Sequence, residues 1–431
     1  MAEPTSSLKQ EFPKSLEETS KSLPKEIELS KGYKCHQVIR DKIGYLFFNM
    51  ASLCTDPPCK LHEKVTFLNL SLKSDPKNLN LSEELKKIAK RAYLVGQISL
   101  LAPISVFTGS VGMIFRLLGY FTQSSEFNYK RGIAKEKTFP TDDKASVFFL
   151  NTCFIGGGYP LTHGGVLPWS ARVNQVADNI LKQNSDIVCL SEVYDFKAAK
   201  TLYNKLKNQY SHFYLNVGPH HFAAKSGLFV ASKYKIQNPH FIDFHDTLDH
   251  NKGSCRRGGF AFEAIDKENK AIARVYSAHL EYSLNDSKPS AQEIKARKEE
   301  IALIIKDIKS SKVFNAPTIL TGDLNFSEKE YDKTDLIEYF QKTTESTNGT
   351  WRSDKFIKKL WNEKPNDKTE KGEEAFDLDH TFILKKSPKD LIDQPNYVVE
   401  TKIIPSFDEK AEILSALSDH HAMETKITLT S

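Results

Sequence analysis

The sequence predicts an α+β fold, a four-layer α/β/β/α sandwich of two packed mixed sheets preceded by a mainly helical N-terminal extension. Three observations predict this class. From about residue 145 onward, short apolar runs rich in β-branched and aromatic residues alternate with segments of helical periodicity. Several of these runs end in an acid, an amide or an imidazole, which indicates a site on loops at one edge of the sheets. Ahead of residue 145 the pattern is mainly helical and includes a long uncharged stretch.

Composition places the chain among folded proteins. Its 431 residues include 27 Phe and 16 Tyr, far too many for a disordered chain, and the length allows two or three domains or one large domain with an appendage. The net charge is only +5, so the strongly basic balance of a dedicated nucleic-acid binder is missing, and composition lends a nuclease no support. The six cysteines are spread over a long chain, and this low density argues against a disulfide scaffold; they include no Cys-x-x-Cys pair, which argues against a cysteine zinc site.

The domain organisation that we predict has three parts. Residues 1–34 form a flexible, charged N-terminal arm, residues 35–144 a helical extension, and residues 145–431 a catalytic domain. The arm is polar and lacks the apolar core of a secretory leader, so we expect no cleavable signal peptide. Whether the protein is cytoplasmic or exported stays open.

Residues 92–115 are unusual because they contain no Asp, Glu, Lys or Arg. As a helix these residues would be about 36 Å long, compared with roughly 30 Å for the hydrocarbon core of a bilayer. One interpretation is a membrane-spanning or membrane-dipping segment, including a hairpin bent at Pro103. The other is a buried helical pair that covers the catalytic domain. Basic residues flank both ends, so the positive-inside rule gives no orientation.

Periodicity predicts the main elements of the catalytic domain. Apolar runs of strand character lie at Ser146–Cys153, Ile187–Leu190, Gly227–Ala231, Gly259–Ile265, Ala273–Ala278, Pro317–Leu320, His380–Leu384 and Ala422–Leu429. Helical spacing of apolar residues marks Ala171–Gln183, Ala198–Asn208 and Ala291–Lys309.

Five short motifs carry the chemistry, and in each an apolar run leads to an acid, an amide or an imidazole. They are Phe148-Phe149-Leu150-Asn151; Asp186 to Val193, with Glu192; Val275 to Leu280, with His279; Thr318 to Asn325, with Asp323 and Asn325; and Asp377 to Phe382 together with Ser418 to His421, with Asp379, Asp419 and His420. Each motif alone is compatible with an ordinary turn or strand end, but their ordered combination is specific. From residue 145 to the C-terminus the sequence resembles the endonuclease/exonuclease/phosphatase superfamily, and within it the neutral sphingomyelinase-like phosphodiesterases.

The residue chemistry fits metal-dependent phosphoester hydrolysis. Mg²⁺ prefers carboxylate and other oxygen ligands, so Glu192 is the expected direct ligand, with Asn151 and Asp419 completing its surroundings and Mn²⁺ as the second candidate ion. An imidazole suits the general base that activates water. By resemblance, His420 is that base and Asp379 is the carboxylate that orients it.

The resemblance also implies roles for the remaining motif residues. Asp323 and Asn325 lie two positions apart, so in an extended segment their side chains share one face. The family implies that both contact the phosphoryl group and position the nucleophile. His279 would donate a hydrogen bond to a non-bridging phosphate oxygen, where charge grows in the transition state.

The sequence indicates the substrate less directly than the type of reaction. Inositol polyphosphate 5-phosphatases carry Trp-Cys-Asp-Arg where this chain has Asp377-Leu378-Asp379-His380, whereas the His279-Leu280-Glu281 context fits the sphingomyelinase-like branch. The leading hypothesis is a phosphodiesterase that releases the headgroup of a membrane phospholipid, sphingomyelin first. A metal-dependent nuclease and an inositol-phosphate or phosphoinositide phosphatase are the alternatives, and an inactive membrane-tethered scaffold is a remote one. Nucleic acid therefore stays open as a substrate, and no protein partner can be inferred.

Overall fold

The computed structural model describes residues 31–73, 81–122, 126–138, 144–155, 166–219, 224–248, 250, 255–286, 288–311, 316–326, 330, 336–343, 349–351, 376–385, 396–406 and 416–430. The arm expected at residues 1–34 lies outside these ranges, apart from residues 31–34, which begin the first helix.

Three helices form the N-terminal part: α1 (Lys31–Cys54), α2 (Asp56–Lys73) and α3 (Leu81–Thr122). Helices α1 and α2 both run antiparallel to α3. At one end Arg40 donates to the carbonyl of Phe121, and at the other Arg91 donates to the side chain and carbonyl of Ser71. Glycine permits the closest approach between them, because a Cβ at Gly119 would lie 2.6 Å from the ring of Phe48.

Helix α3 decides between the interpretations of residues 92–115. It is a single helix of 42 residues that continues through Pro103, so a hairpin bent at this proline is wrong. The buried helical pair is wrong as well, because only 11% of its most apolar stretch is buried. Among the described residues, α3 alone is long and apolar enough to cross a bilayer.

The first sheet has seven strands. Their order is β1-β4-β5-β3-β2-β13-β12, and they span Asn128–Arg131 (β1), Lys144–Phe154 (β2), Ile187–Val193 (β3), His212–Leu215 (β4), Phe229–Ser232 (β5), Asn396–Ile404 (β12) and Ala422–Thr430 (β13). Strands β2 and β3 are parallel and every other pairing is antiparallel, so the sheet is mixed. Strand β1 comes from the stretch ahead of residue 145, so the sheet extends beyond the segment in which the strand pattern begins.

The second sheet has six strands and is also mixed. Their order is β10-β11-β9-β8-β7-β6, and they span Lys235–Asp243 (β6), Gly258–Ile265 (β7), Ala271–His279 (β8), Thr318–Asp323 (β9), Phe340–Lys342 (β10) and Asp379–Leu384 (β11). Here β8 and β9 form the parallel pair. A parallel pair requires a crossover, and helices supply it in both sheets: α4 (Trp169–Gln183) joins β2 to β3, and α6 (Ala291–Ser310) joins β8 to β9. Helix α5 (Phe196–Leu206) follows β3, and the short α7 (Leu336–Tyr339) precedes β10.

Alternation along the strands produces the layers. In β2, Val147 and Phe149 point into the core between the two sheets, whereas Phe148 and Leu150 pack beneath α4 and α5 on the outer face. A third apolar cluster joins the outer face of the second sheet to α6. The four-layer α/β/β/α architecture predicted from the sequence is therefore confirmed, and each strand and helix predicted for this region is present with bounds shifted by a few residues.

Candidate active site

The predicted site residues lie where the parallel strands of both sheets end. Asn151 and Glu192 stand near the ends of β2 and β3, and His279 and Asp323 are the last residues of β8 and β9. Asp379 begins β11 and pairs in register with Asp323, while His420 lies just before β13. Two sheets stacked with these ends together bring residues far apart in the chain to one location.

Asp323 is the centre of this arrangement. Its Oδ2 accepts a hydrogen bond of 2.8 Å from the Asn151 amide, which crosses from the first sheet to the second. The Nε2 atoms of His279 and His420 lie 3.7 and 3.8 Å from the same oxygen. One buried carboxylate oxygen thus faces an amide and two imidazoles.

His420 is held by a buried carboxylate on its other side. Its Nδ1–H donates to Asp379 Oδ2 at 2.8 Å, so Nε2 is the nitrogen left to accept a proton. Asp379 is fully buried, and its backbone N–H donates to the hydroxyl of Thr350. The pair has the geometry of an oriented general base.

Glu192 occupies the open side of the site. Its side chain is 19% exposed, and its Oε1 lies 3.8 Å from His279 Nε2. Its backbone has a φ of +58°, a conformation that non-glycine residues rarely adopt and that tends to persist at functional sites. Gly227 packs against it, and a Cβ there would lie 3.1 Å from the Glu192 Cα and 2.7 Å from the ring of Tyr194.

Asn325 is fixed by its local backbone. It also has a positive φ, of +51°, and its backbone N–H donates to Asp323 Oδ1. Its side-chain amide donates to the carbonyl of Leu280 at 3.0 Å, which ties the loop after β9 to the loop after β8.

The donor atoms fit a divalent cation. Glu192, His279 and Asp323 offer a set of ligand atoms that all lie within 4.8 Å of one another, and Asp323, Asp379 and His420 offer a second set. The two carboxylates of the first set are hard oxygen donors of the kind that Mg²⁺ and Mn²⁺ accept, whereas its imidazole is a softer donor. Asp323 belongs to both sets, so a cation held there would lie next to the base.

Asn151 and Asp419, expected around Glu192, make other contacts. Asn151 Oδ1 accepts from the backbone N–H of Cys153, while its Nδ2 faces Asp323. Asp419 accepts from the indole N–H of Trp351 at 3.2 Å and from the hydroxyl of Ser418. The structure brings Glu192 together with His279 and Asp323. Burial raises the pKa of the Cys153 thiol, and Asp419 and Glu192 both lie close enough to raise it further, so the assignment of Asn151 and Asp419 to the cation site stays a prediction.

Burial and neighbouring charges set the protonation of the two imidazoles in opposite directions. Burial, the Arg257 guanidinium and His420 together hold the pKa of His279 well below its usual range. Burial also disfavours charge on His420, but the carboxylates of Asp379, Asp419 and Asp323 outweigh it and raise its pKa well above the usual range. Burial is the main reason why the pKa of Asp323 is raised as well, with further increases from Asp379 and Glu192. This excess of negative charge is what a bound cation would compensate.

Several residues of the site were not predicted, because they are not acids, amides or imidazoles at the end of an apolar run. Trp351 contacts both Asp419 and the ring of His420, and Thr350 caps the start of β11. Ser418 donates to the carbonyl of Asn151 at 2.6 Å; its place in the Ser-Asp-His tripeptide was the one available clue.

Arg172 on α4 also went unpredicted, although it organises the rim of the site. It is 1% exposed and donates to the backbone carbonyls of Leu167, Thr152, Cys153 and Leu417. Its guanidinium thereby ties the end of β2 to the segment that carries Asp419. An arginine in an amphipathic helix reads as a surface residue, so the sequence pattern hides this role.

Replacing Arg172 by methionine is expected to lower the free energy of unfolding by about 3 kcal/mol or more, because several buried carbonyls lose their donor and each such loss costs about 1–3 kcal/mol. Chemical denaturation monitored by circular dichroism measures the change. Lys182→Met on the exposed end of the same helix is the matched control and should have little effect. A loss for Arg172→Met no larger than the control's would contradict the proposed tie.

With the geometry in place, comparison with known proteins identifies the family. Residues 151–380 match the model of the Endonuclease/Exonuclease/phosphatase family, and the chain belongs to this family. Its members are phosphoester hydrolases that use divalent metals, so the protein is a metal-dependent phosphoesterase. No curated protein matches the chain significantly.

The solved structure of SmcL confirms the fold, and two further structures are similar at lower scores. SmcL superposes with a TM-score of 0.50 at 18% identity, over 66% of this chain and 99% of SmcL. Sphingomyelinase C from Streptomyces griseocarneus gives a TM-score of 0.46 at 16% identity, over 66% of this chain and 99% of its own. D. rerio TDP2 complexed with a single-strand DNA product gives 0.48 at 16% identity, over 67% of this chain and 100% of its own. At these identities the likeness concerns the fold alone, and the substrate stays undetermined.

Proposed function

We propose that this protein is a Mg²⁺-dependent phosphodiesterase that releases the headgroup of a membrane phospholipid, with sphingomyelin as the first candidate. The observation that carries the reaction type is the 2.8 Å hydrogen bond between His420 and Asp379, with His420 Nε2 directed at the carboxylate that also faces Glu192 and His279. The catalytic unit in this proposal is residues 145–431, preceded by the helical extension of residues 35–144.

His420 acts as the general base. Nε2 accepts a proton from the attacking water, and Asp379 stabilises the imidazolium that forms while it keeps the ring in one orientation. Since both groups are buried, the ring has little freedom to leave this position.

Glu192, His279 and Asp323 are the residues that would hold the cation, with Asn151 fixing Asp323 through its amide. When bound, the cation supplies a Lewis acid that offsets the negative charge of the phosphate. His279 Nε2 can alternatively donate to a non-bridging oxygen of the substrate, and Asn325 keeps the loop after Asp323 in place.

Lipid is favoured over other phosphoesters by two features of the chain. The His279-Leu280-Glu281 segment resembles the sphingomyelinase-like branch, and α3 exposes a long apolar surface on the same polypeptide. An enzyme held at a membrane meets a lipid headgroup at high local concentration.

Phosphocholine release from sphingomyelin vesicles tests the substrate. We expect release with Mg²⁺, none with EDTA, and release about 10²–10⁴-fold slower from a His420→Ala variant. A panel of plasmid DNA, inositol phosphates and other phospholipids runs under the same conditions. Metal-dependent nicking of DNA without lipid cleavage would show a nuclease, and wild-type activity equal to that of His420→Ala on every substrate would show a scaffold.

The pH dependence of activity should report the charge around His420. The base must be neutral to work, and its pKa is raised by neighbouring carboxylates, so activity is lost as pH falls through that raised value. Asp419→Asn removes one of those carboxylates but keeps an oxygen that can accept from Trp351. We expect the acidic limb of the kcat/KM profile to move to lower pH in this variant, and an unchanged limb would assign it to another group.

A further inference from the structure

We propose that α3 binds in the plane of a lipid bilayer, with its exposed face in the membrane interface, and does not span the membrane. Attachment of α3 to a membrane is independent of the enzymatic activity proposed above. Lipid is the single partner that we assign to this face of the helix.

The exposed face of α3 is apolar over most of its length. Leu100, Val106, Phe107 and Phe121 are each about 70% exposed or more, on a segment with no charged residue between positions 92 and 115. A helix that serves as the core of a soluble protein would bury such side chains, and this one buries only 11% of its most apolar stretch. Contiguous apolar surface of this extent is typical of membrane or partner contacts.

Four hydroxyl groups on this helix are satisfied without water. Ser99, Thr108, Ser110 and Thr122 each donate to the carbonyl four residues earlier, at 2.7 to 3.0 Å. Such bonds leave the polar atoms paired when the helix surface lies in a medium that cannot hydrogen-bond. The four hydroxyls therefore place no unpaired polar atom on a surface in contact with lipid, and the same bonds also form in helices exposed to water.

The rest of the fold rules out a helix that crosses the bilayer in this conformation. The opposite face of α3 packs on α1 and α2, and Gly109 and Gly112 approach Pro58 and Cys54. Asp56 lies between these two residues, and its carboxylate pairs with Lys197 of the catalytic domain at 2.6 Å. A bilayer wrapped around residues 92–115 would therefore enclose this ion pair and the start of α5.

An in-plane position avoids that conflict. The exposed face enters the interface, and α1 and α2 form a layer between it and the catalytic domain, to which they are joined by the Asp56–Lys197 pair, by Glu63 with Ser170, and by the stacked rings of Phe48 and Phe196. The exposed Lys86 and Lys90 lie just beyond one end of the uncharged segment, where they can meet anionic headgroups.

The same arrangement brings the membrane near the catalytic rim. Phe67 of α2 packs against a small cluster formed by Cys153, Val166, Leu167 and Ala416. These residues adjoin the segments that carry Asn151 and Asp419, so the helices hold the rim of the site close to the attached surface.

Vesicle co-sedimentation of the full chain tests the attachment. We expect binding to phosphatidylcholine vesicles that strengthens when phosphatidylserine is added. The double variant Leu100→Glu/Phe107→Glu should bind at least about tenfold more weakly, because two large apolar side chains are no longer transferred into lipid. Val398→Glu, which places the same charge at an exposed apolar position of β12, is the control and should bind as the native protein does.

Both variants should keep the native circular dichroism and melting temperature, since the substituted side chains are exposed. Absence of native binding, or equal binding by the double variant and the control, would overturn the proposal. The His420→Ala variant should bind normally, so a failure of the proposed enzymatic function leaves this test intact.

Labelling distinguishes in-plane from spanning helices. Glu83→Cys and Glu126→Cys variants, at exposed charged positions on either side of the apolar stretch, are synthesised in the presence of vesicles and treated with a membrane-impermeant maleimide, with the native chain as background. We expect both positions to label without detergent. Protection of one of the two until detergent is added would show a spanning helix and would overturn the proposal.

Discussion

His420→Ala is expected to lower the turnover number of phosphoester hydrolysis by about 10²–10⁴-fold, the range that a positioned general base usually contributes. The reason is structural: Nε2 of this ring is the basic nitrogen left after Nδ1 has donated to Asp379, and it faces the carboxylate shared by the two candidate ligand sets. KM should change much less than the turnover number, because the base acts on water and contributes little to holding the substrate.

Three further variants sharpen this result. Asp379→Asn keeps a side chain of the same shape but no longer fixes the tautomer of His420, so it should also be strongly impaired, and the double variant should be little worse than His420→Ala alone. His240→Ala removes a half-exposed histidine that pairs with Asp307 away from the site, and it should retain activity. Additive losses in the double variant would separate the two residues functionally and contradict the base mechanism.

Glu192→Gln is expected to abolish the response of the protein to Mg²⁺. A cation that binds only the native state raises the melting temperature in a concentration-dependent manner. The native chain should show this increase and the variant should not. Loss of a residue that only supports a metal ligand lowers activity by about 10–100-fold, and loss of the ligand Glu192 should lower it by at least as much.

The metal-free variant should be no less stable than the metal-free native protein. Glu192 faces other negative groups, and its carboxylate contributes to the raised pKa of Asp323, so its neutralisation relieves repulsion. Thermal melting with and without Mg²⁺ gives both quantities in one experiment. Glu268→Gln, at an exposed turn between β7 and β8, serves as the control. A variant of Glu192 that still gains stability from Mg²⁺ would remove this residue from the cation site.

Sequence patterns predicted the interior of the sandwich better than its margins. The predicted strands include β2, β3, β8 and β9. Both faces of these strands are buried, so their sequences are strongly apolar and easy to recognise. The unpredicted strands are β1, β4, β6, β10 and β12, and all of these except β4 lie at the edges of their sheets. Edge strands are partly solvated and contain polar residues and proline. In β6 these are Lys235, Gln237 and Pro239, and they dilute the alternation that marks a strand.

The site divides in a similar way. Residues with distinctive chemistry at strand ends, such as His279 and Asp323, could be found because the chemistry itself is the signal. Arg172, Thr350 and Trp351 act through contacts between segments far apart in the chain, and no local pattern encodes such contacts. The environment of Asp419 could not be predicted from its neighbours in the sequence either, because it depends on Trp351, which is 68 residues away in the chain.

The hydrogen bond between Asn151 and Asp323 joins the two halves of the sandwich at the point where chemistry would occur. Neither half contains a complete set of reacting groups, since Glu192 belongs to one and His279 to the other. Any sliding of the halves past each other, even by a fraction of a residue repeat, would separate Asn151 and His420 from Asp323 and Glu192 from His279. Hydrolytic competence should therefore disappear before global unfolding, as soon as the interlocked side chains between the halves loosen.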